Sequence, residues 1–386
     1  MRIGFDAKRA YHNQTGLGHY SRTLIRSLSH FFPEHAYYLM NTRPSGRFDF
    51  HDCKNVTEIL PQEWLSKHFP ALWRSSLVKK DLKRLQLDLY HGLSHELPTG
   101  IRKTGIPSVV TMHDLIFERY PQQYKMADRL IYRNKFQHAC REASKVIAIS
   151  QQTRQDLVDL YGVPETKIEV CYQSCNPAFA EPVSMEGKSR VRSLYNLPEK
   201  YFLYVGSIIE RKNLLTICKA MHLLRHEWDL PLVIIGNGGA YKQQVKNFIQ
   251  EHQLGNRCIF LSEIDAAKNS PSFQSAADFP AIYQQALAMI YPSVYEGFGI
   301  PVLEGLWSGI PVITSNVSCL PEAGGEGAFY VNPASPEDIA QQMKLIVSDP
   351  ALVQARYEKT KRHLQQFTNE ATAKRVMQVY SSVLEG

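Results

Sequence analysis

Two glutamates and two glycines lie in one short part of this chain, as Glu296-Gly297-Phe298-Gly299 and, eight positions after the first glutamate, Glu304. The glycines allow a tight turn and a close approach of the backbone to a ligand. A helix is predicted directly after them, and a helix start presents unpaired N–H groups and the positive end of the helix dipole. The stretch therefore predicts a binding site for an anion, most simply a phosphate.

The limits of that helix follow from its flanking residues. Pro301 suits a first helical position, where its missing N–H costs nothing, and Gly309 is a stop signal, so the helix is expected at 301–308. The two carboxylates allow two interpretations. Each can bind a ligand, or Glu304 can complement the helix dipole while Glu296 is a solvated loop residue.

A second chemical feature is the pair Arg211-Lys212, which follows a predicted strand at 201–206. An arginine fork beside a lysine compensates the charge of a leaving diphosphate without a metal. A solvated basic turn is the plainer alternative. No Asp-x-Asp pair, the spacing that would hold a divalent ion on a diphosphate, occurs in the chain. If the chain carries out transfer chemistry, we therefore expect that chemistry to use no metal and no other cofactor.

The elements that must position these residues are short apolar runs that alternate with helical patterns. The first set lies at residues 3–6, 87–91, 107–112, 145–149 and 168–172. The second set lies at residues 201–206, 231–235, 257–261, 286–291, 310–314 and 328–331. Such alternation is typical of parallel sheets with helices on both faces, so the predicted fold class is α/β with two domains of this kind. Ligands bind beyond the carboxyl ends of such strands, where His113, Ser207 and Glu296 are found.

Composition limits the classes of function. The 386 residues suggest about two domains. The formal charge of +7 favours anionic ligands, but no nucleic-acid motif accompanies it, so no nucleic acid is expected as a partner. The chain shows no signal-peptide pattern and no apolar run of the ~18 residues that a membrane span needs. The seven scattered cysteines are interpreted as free thiols, so a cytoplasmic location is expected.

Residues 62–86 combine aromatic and leucine side chains with a lysine cluster, Lys79-Lys80 and Lys83-Arg84. One interpretation is an interfacial helix that docks peripherally on an anionic membrane. The other, which the pattern favours, is a core helix with a solvated basic face. Peripheral contact with the inner face of the membrane thus stays open.

The combined pattern resembles a known family. The stretch from Glu296 to Glu304 is similar to the E-x7-E signature of retaining glycosyltransferases of family 4, which have the GT-B fold of two facing Rossmann-like domains. Further similarities are Tyr291-Pro292-Ser293, Leu320-Pro321-Glu322, Gly16-x-Gly18, His113-Asp114, Ile149-Ser150 and Gly206-Ser207 leading to Arg211-Lys212-Asn213. Within the family, the opening of the chain and the segment at His113 look most like bacterial mannosyltransferases of surface polysaccharide biosynthesis.

The resemblance implies a domain organisation. Residues 1–180 would form an acceptor-side domain, 181–199 a linker, and 200–365 a nucleotide-sugar donor domain. Residues 366–386 have apolar side chains at helical spacing and would form a C-terminal helix that crosses back to the N-terminal domain. Two sheet edges that face each other would leave a deep cleft.

The resemblance also implies roles for single residues. Arg211 and Lys212 would hold the donor diphosphate, and Glu304 would bind the ribose hydroxyls. Glu296 would lie against the donor sugar, and His113 would contact that sugar near the reacting carbon. The other donor-binding residues would be Gly16, Gly18, Ser207, Gly297, Phe298 and Gly299.

The implied function is metal-independent transfer of a hexose with retention, from a nucleotide sugar to a saccharide or lipid-linked saccharide acceptor. Mannose from GDP-mannose is the expected donor. The alternatives are a GT-B nucleotide-sugar epimerase, which needs no acceptor, and a non-catalytic nucleotide-sugar binding protein. A nicotinamide oxidoreductase is disfavoured by the poor glycine fingerprint at 16–21. Gly16 and Gly18 are expected instead in a flexible loop that closes over a ligand at the end of the first strand. Residues 262–285 form a longer polar stretch than the family usually has near the base, so the identity of the base stays open.

Overall fold

The computed structural model describes residues 1–385 and divides the chain into two compact units. One comprises Met1–Ser174 together with the segment that begins at Gln366, and the other comprises Cys175–Gln365. Each unit contains one parallel sheet with a buried core around it. None of the helices in residues 1–385 combines the length and the apolar composition that crossing a membrane requires.

The first unit is built on a seven-stranded parallel sheet. Its strands are β1 Arg2–Asp6, β2 Ala36–Met40, β3 Val56–Ile59, β4 Leu89–Gly92, β5 Ser108–Met112, β6 Lys145–Ala148 and β7 Ile168–Val170. Their order in the sheet is β3-β2-β1-β4-β5-β6-β7. Its main helices up to residue 174 are α1 Lys8–His12, α2 Gly16–Phe31, α3 Trp64–His68, α4 Val78–Arg84, α5 Ile116–Arg119, α6 Met126–Glu142 and α7 Gln151–Tyr161. Every residue of β4 and β5 is buried, as expected where helices cover both faces of a parallel sheet.

The sequence interpretation does not include β2 and β3. The edge strand β3, Val-Thr-Glu-Ile, has no fully buried residue and lacks the continuous apolar run by which strands covered on two faces are recognised. β2, Ala-Tyr-Tyr-Leu-Met, does have such a run, with three of its five residues buried, and the interpretation overlooks it. The other five strands of this sheet lie where the sequence predicts them to within two residues.

The glycines near the N-terminus lie in a different kind of element from the one expected. The sequence predicts a flexible loop at Gly16 and Gly18, but both lie in the first turn of α2. A Cβ at Gly18 would lie 1.9 Å from the carbonyl oxygen of Asn13, so this glycine permits close backbone packing. The Asn13 side chain accepts hydrogen bonds from the backbone amides of Thr15 at 2.8 Å and Gly18 at 3.2 Å. The glycines therefore belong to a fixed helix start.

Residues 62–86 do not form one helix. Their elements are α3, a helical turn at Pro70–Leu72, a π-helical turn at Trp73–Leu77, and α4. Trp73 is buried in the core of the first unit, whereas Trp64 is 69% exposed. The core interpretation therefore holds for the second half of the segment, and the first half leaves large apolar side chains at the surface.

The second unit is built on a six-stranded parallel sheet. Its strands are β8 Phe202–Val205, β9 Leu232–Ile235, β10 Cys258–Phe260, β11 Ala288–Tyr291, β12 Val312–Ser315 and β13 Phe329–Val331. Their order is β10-β9-β8-β11-β12-β13, and each lies where the sequence predicts it to within two residues. Its main helices are α8 Met185–Tyr195, α9 Leu214–Leu223, α10 Ala240–Glu251, α11 Asp265–Lys268, α12 Pro271–Gln274, α13 Phe279–Tyr283, α14 Ile300–Trp307, α15 Leu320–Gly324, α16 Pro336–Ser348 and α17 Pro350–Leu364.

Residues 181–199, expected to be a linker, contain the helix α8 and belong to the second unit. The hydroxyl of Tyr195 donates a 2.5 Å hydrogen bond to Oδ2 of Asp278, and Arg190 contacts the other carboxylate oxygen at 2.7 Å. Val191 and Tyr195 are buried. The segment is therefore packed on the second unit through an aromatic and charged contact, and is not an extended connection.

The C-terminal helix α18, Asn369–Glu385, packs in the core of the first unit. The hydroxyl of Tyr380 lies 2.6 Å from Nδ1 of His91, a fully buried residue of β4. Nε2 of His91 lies 2.8 Å from Oγ1 of Thr111 on the neighbouring strand β5. The helix is therefore joined to the middle of the sheet by a buried chain of polar groups.

Replacing Tyr380 by phenylalanine keeps the packed ring and removes only the hydroxyl. Burial, with a smaller effect of His113, lowers the pKa of His91 to about 3, so His91 is neutral and its Nδ1 would lose its partner inside the core. We expect Tyr380→Phe to lower the free energy of unfolding in urea by ~1–3 kcal/mol, the cost of an unsatisfied buried polar group. Tyr132→Phe, at a residue that is 39% exposed, is the matched control. Equal effects of the two changes would contradict this role of the hydroxyl.

Candidate functional site

Two loops of the second unit meet at the centre of its sheet. β8 and β11 are neighbours, and the strand order proceeds from them to β9 and β10 on one side and to β12 and β13 on the other. Such a reversal leaves a crevice beyond the carboxyl ends of β8 and β11, where ligands bind in this class of sheet. The loop after β8 carries Arg211 and Lys212, and the loop after β11 carries Glu296.

Glu296 is the centre of the contacts in this crevice. Its Oε1 lies 2.8 Å from Nη1 of Arg211 and 3.5 Å from Nζ of Lys212. The same oxygen accepts hydrogen bonds from the hydroxyl of Tyr291 at 2.9 Å and from Oγ of Ser293 at 2.8 Å. Only 8% of Glu296 is exposed. The carboxylate is therefore a buried, multiply bonded charge, and the interpretation as a solvated loop residue is wrong.

The surroundings keep Glu296 ionised. Burial alone would raise the pKa of its carboxyl, but the charges of Lys212 and Arg211 and the hydrogen bonds from Arg211 and Ser293 lower the pKa to about 2. Nζ of Lys212 also donates a 2.6 Å hydrogen bond to the Tyr291 hydroxyl, so this tyrosine links the lysine to the carboxylate. We call Arg211, Lys212 and Glu296 the ion cluster; its two cations and one carboxylate leave one positive charge.

Hydrogen bonds from side chains to backbone carbonyl oxygens hold the two loops of the ion cluster against each other. Residues Glu210–Lys212 form a 3-10 turn that ends at Asn213 with φ 61°. The side-chain amide of Asn213 donates a 3.1 Å hydrogen bond to the carbonyl oxygen of Pro292 on the other loop. The Arg211 guanidinium donates to the carbonyl oxygen of Tyr295. The protein itself therefore sets the positions of both cations, and the interpretation as a solvated basic turn is wrong.

The glycine stretch ends in α14, which begins and ends one residue earlier than the sequence predicts. Gly299 precedes the helix with φ 102°, a conformation that favours glycine, and a Cβ there would lie 2.8 Å from Cδ2 of Leu320. Phe298 is buried. The amides at the start of α14 therefore follow the ion cluster directly in the chain, separated from Glu296 only by Gly297, Phe298 and Gly299.

Glu304 lies within α14 but outside its first turn, so the interpretation as a partner of the helix dipole is wrong. Its Oε2 accepts a 2.9 Å hydrogen bond from the hydroxyl of Tyr283. Burial raises the pKa of Glu304 to about 7, against the opposing effects of that hydrogen bond and of the charge of Lys212, although part of the side chain is accessible. Lys212 thus influences both Glu304 and Glu296.

The sequence interpretation assigns no functional role to some residues of this site. Tyr291 is interpreted there only as the end of an apolar strand and as part of a motif, and Tyr283 lies in the polar stretch 262–285. Ser293 is quoted only as part of a motif. The sequence did contain a signal for Tyr291 and Ser293. Both carry hydroxyl groups and come five and three positions before Glu296, at the carboxyl end of a buried strand, where ligands bind. Ser207 is exposed on the loop that leads from β8 to the 3-10 turn.

His113 and the two N-terminal glycines belong to the first unit. His113 follows β5 and is buried; its Nε2 donates to the carbonyl oxygen of Leu93 at 2.9 Å, and its Nδ1 accepts from the Gln173 amide at 3.1 Å. Burial lowers the pKa of His113 to about 4, with the Leu93 hydrogen bond opposing this shift and the charge of Arg9 adding to it. The ring is therefore neutral at pH 7.

The helix α2 begins at the N-terminal glycines and contacts His113 through Tyr20. The ring of Tyr20, in the second turn of α2, meets the His113 ring edge-on with 4.6 Å between the centroids. The Tyr20 hydroxyl lies 3.0 Å from Oγ1 of Thr111 on β5. The start of α2, with Gly16 and Gly18, is therefore fixed relative to His113 within one unit.

Within residues 1–385, no three His, Cys, Asp or Glu side chains come together as ligands for a metal ion. In the ion cluster, the positive charge that a phosphate would meet is carried by Arg211 and Lys212.

Replacing Glu296 by glutamine removes the charge and keeps the size of the side chain. Because the folded protein lowers the pKa of Glu296 from 4.5 to about 2, ionisation stabilises the fold fully above about pH 5 and progressively less as the pH falls towards 2. We expect Glu296→Gln to lower the free energy of unfolding most near neutral pH, and the difference from wild type to shrink by about pH 3.5. Urea titrations at both pH values measure this difference.

The matched control is Glu326→Gln, which removes a carboxylate that is 80% exposed and paired with Lys359. We expect little change in stability from this substitution at either pH, because exposed ion pairs contribute little. A pH-independent difference between Glu296→Gln and wild type would contradict the lowered pKa.

Two family models match the chain. The model described as Glycosyltransferase Family 4 matches residues 15–179, and the model described as Glycosyl transferases group 1 matches residues 186–363. The first range includes His113, and the second includes the ion cluster and Glu304.

Relatives and a solved structure agree with these models. The chain is 28% identical over 68% of its length to O-antigen chain mannosyltransferase B of Escherichia coli, and 26% identical over 58% of its length to O-antigen chain mannosyltransferase RfbU of Salmonella typhimurium. It spans 65% and 56% of those two proteins. A crystal structure of a glycosyltransferase from Rickettsia africae has the same fold, with a TM-score of 0.74 over 100% of this chain and 99% of that chain at 18% identity. The chain therefore belongs to the glycosyltransferases of the GT-B fold, with a family 4 region followed by a group 1 region.

Proposed function

We propose that the protein is a metal-independent, retaining glycosyltransferase that transfers a hexose from a nucleotide sugar to a saccharide or lipid-linked saccharide acceptor. The observation that supports this function best is the ion cluster at the strand-order reversal of the second sheet. A nucleotide sugar carries a diphosphate between its base and its sugar. Two cations that a buried carboxylate holds in place form a site for that diphosphate in which the charged groups are already positioned.

The leaving diphosphate needs charge stabilisation when its bond to the sugar breaks. In the proposal, Arg211 and Lys212 supply it; an ammonium has three N–H donors, and that of Lys212 gives one to Tyr291. The amides at the start of α14, after Phe298 and Gly299, add further donors. Glu296 keeps the two cations in the crevice and lies against the donor sugar.

The ribose of the donor is assigned to Glu304. An ionised carboxylate accepts hydrogen bonds from two neighbouring hydroxyls, as a ribose presents them. Tyr283 fixes one carboxylate oxygen through its 2.9 Å hydrogen bond. Because the pKa of Glu304 is raised to about 7, binding of a ribose that prefers the ionised form would lower that pKa.

The proposed transfer needs no side chain as a base. The acceptor hydroxyl attacks the anomeric carbon on the face from which the diphosphate departs. The bond from that carbon to the phosphate oxygen breaks, the glycosidic bond forms on the same face, and the acceptor proton passes to the departing phosphate oxygen. His113, which is neutral at pH 7, is proposed to contact the sugar, and Gly16 and Gly18 to bring the start of α2 to the phosphates.

Mannose from GDP-mannose is the donor that we propose. The support is that both relatives compared above are named O-antigen chain mannosyltransferases. The proposed setting is assembly of a surface polysaccharide at the cytoplasmic side of the membrane. The base is expected near residues 262–285, which hold the short helices α11, α12 and α13.

A panel of nucleotide sugars, incubated with the full chain and a mannose-terminated oligosaccharide, tests this function through nucleotide release and product mass. We expect GDP-mannose to be consumed. Arg211→Ala and Lys212→Ala should each reduce turnover by at least ~10²-fold, the scale for removing one preorganised charge donor. Lys344→Ala, which removes a half-exposed lysine paired with Glu227, should retain wild-type turnover.

Three outcomes of the panel contradict parts of the proposal. Failure to bind any nucleotide sugar would refute the function as a whole. Near-normal rates in both alanine variants would refute the role of the ion cluster. A donor that is isomerised without any acceptor would identify an epimerase.

A further inference from the structure

The second unit contains a cavity of about 140 Å³ at the edge of its sheet that lies opposite the ion cluster. The ion cluster lies beyond the carboxyl ends of β8 and β11. The cavity is lined instead by residues at the amino ends of strands. Pro311 comes directly before β12, Gly327 comes shortly before β13, and Phe329 is the first residue of β13. The cavity is therefore separate from the ion cluster, although both belong to one sheet.

The helix α14 connects these two edges of the sheet. It begins directly after Gly299, on the loop that carries the ion cluster, and its last turn supplies Leu306 to the lining of the cavity. Gly309 and Ile310, which follow the helix, line the cavity as well. Glu304 lies in α14 between these two ends. A ligand in the cavity would therefore contact the helix that carries Glu304.

Helix α17 supplies the charge of the cavity. Its residues in the lining are Val353, Gln354, Arg356, Tyr357 and Thr360. Among all the residues that line the cavity, only Arg356 is permanently charged, and none is a carboxylate. An anionic ligand therefore complements this lining better than a cationic one.

The guanidinium of Arg356 is held by a backbone oxygen and an aromatic ring. Nη1 donates a 2.6 Å hydrogen bond to the carbonyl oxygen of Ala328, and the guanidinium carbon lies 4.5 Å from the centre of the Phe329 ring. The nearby carboxylate of Glu326 pairs with Lys359 instead. Within residues 1–385, Nε of Arg356 is buried without a hydrogen-bond partner. A carboxylate is the group that best satisfies such a donor.

The rest of the lining is mostly apolar. Leu306, Ile310 and Phe329 are buried. Gly309 has φ 76°, and a Cβ at this position would lie 3.8 Å from Cε2 of Tyr357, so the glycine leaves space beside the tyrosine ring. An apolar cavity of ~150 Å³ holds one benzene molecule, whereas pockets for larger ligands occupy ~300 Å³ or more. The cavity therefore suits one aromatic ring and is too small for a nucleotide sugar.

From these observations we infer that the cavity is an effector site for a small aromatic monocarboxylate of about the size of benzoate. The ring lies against Leu306 and Ile310, and the carboxylate meets Arg356. Occupation of the cavity fixes the end of α14, so a nucleotide that binds at Glu304 and the ion cluster has less of this helix left to order and binds more tightly. The effect on the nucleotide rests on the proposed function; the binding of the carboxylate does not.

Fluorine NMR with the full chain and three ligands tests the site. 4-Fluorobenzoate should bind with a Kd on the order of 1 mM or tighter, as expected for so small a ligand. 4-Fluorobenzamide has the same shape without the charge and should bind at least ~10-fold more weakly. 4′-Fluorobiphenyl-4-carboxylate keeps the charge, but its second ring exceeds the cavity, so it should bind at least ~10-fold more weakly too.

Arg356→Met removes the charge of the cavity and should weaken binding of 4-fluorobenzoate at least ~10-fold. Arg362→Met is the matched control, because Arg362 lies on the same helix, is exposed and does not line the cavity. It should bind 4-fluorobenzoate as wild type does. The comparison of the three ligands uses wild type, so it decides the inference even if Arg356→Met does not fold.

The coupling is measured with whichever of GDP, UDP or ADP binds most tightly. Saturating 4-fluorobenzoate should lower the Kd of that nucleotide at least ~5-fold in wild type and in Arg362→Met. Hydrogen exchange of the amides at residues 300–307 should slow when 4-fluorobenzoate alone is bound, because the ligand fixes the end of the helix.

Three results would overturn the site: no binding of 4-fluorobenzoate at about 10 mM, equal binding of the amide, or equal binding by the Arg356 and Arg362 variants. Binding that depends on Arg356 but leaves the Kd of the nucleotide unchanged would overturn the effector role. If no nucleotide binds while 4-fluorobenzoate still binds through Arg356, the proposed function fails and the site stands.

Discussion

One buried carboxylate holds together the site of the second unit. Arg211 and Lys212 are neighbours on one loop, and their charges would repel each other if Glu296 on the other loop did not lie beside both. Removal of a single partner from such a buried group of charges leaves an uncompensated charge, which is costly in the interior. Tyr291 and Ser293 bind the same carboxylate oxygen, so the charge of Glu296 is also hydrogen-bonded. Because the cations are held in this way, a diphosphate would bind them without reorganising the protein.

The interior of the first unit is organised around neutral polar groups. Burial lowers the pKa of His91, His95 and His113, so the three rings pack and hydrogen-bond without charge. Tyr380 adds the C-terminal helix to this network, which explains why the last element of the chain belongs to the unit that contains its first strand. Charge is concentrated instead at the sheet edge, where Arg74 binds the carboxylates of Asp6 and Glu96.

The sequence predicts the sheets better than it predicts the contacts within the candidate site. Strands buried on both faces appear in the sequence as continuous apolar runs. The polar residues after β8 and β11 are identified because they directly follow two of these runs. The exposed edge strand β3 has no such signal, whereas β2 has an apolar run that the sequence interpretation overlooks. Prolines at both ends of the segment 181–199 and its low apolar content hide the helix α8. The roles of Tyr291 and Tyr283 depend on which side chains of distant segments meet, and spacing along one chain does not contain that information. The same holds for the cavity of the second unit, whose lining comes from α14, α17 and the start of β13.

The central claim is that Lys212 and Arg211 bind the diphosphate of a nucleotide donor. Calorimetry with the full chain tests it most directly, by comparing a nucleoside diphosphate with the corresponding monophosphate, using whichever of GDP, UDP or ADP binds most tightly. We predict that wild type prefers the diphosphate, and that Lys212→Met weakens diphosphate binding at least ~10-fold while changing monophosphate binding little. Equal losses for the two nucleotides, or no loss for either, would contradict the claim.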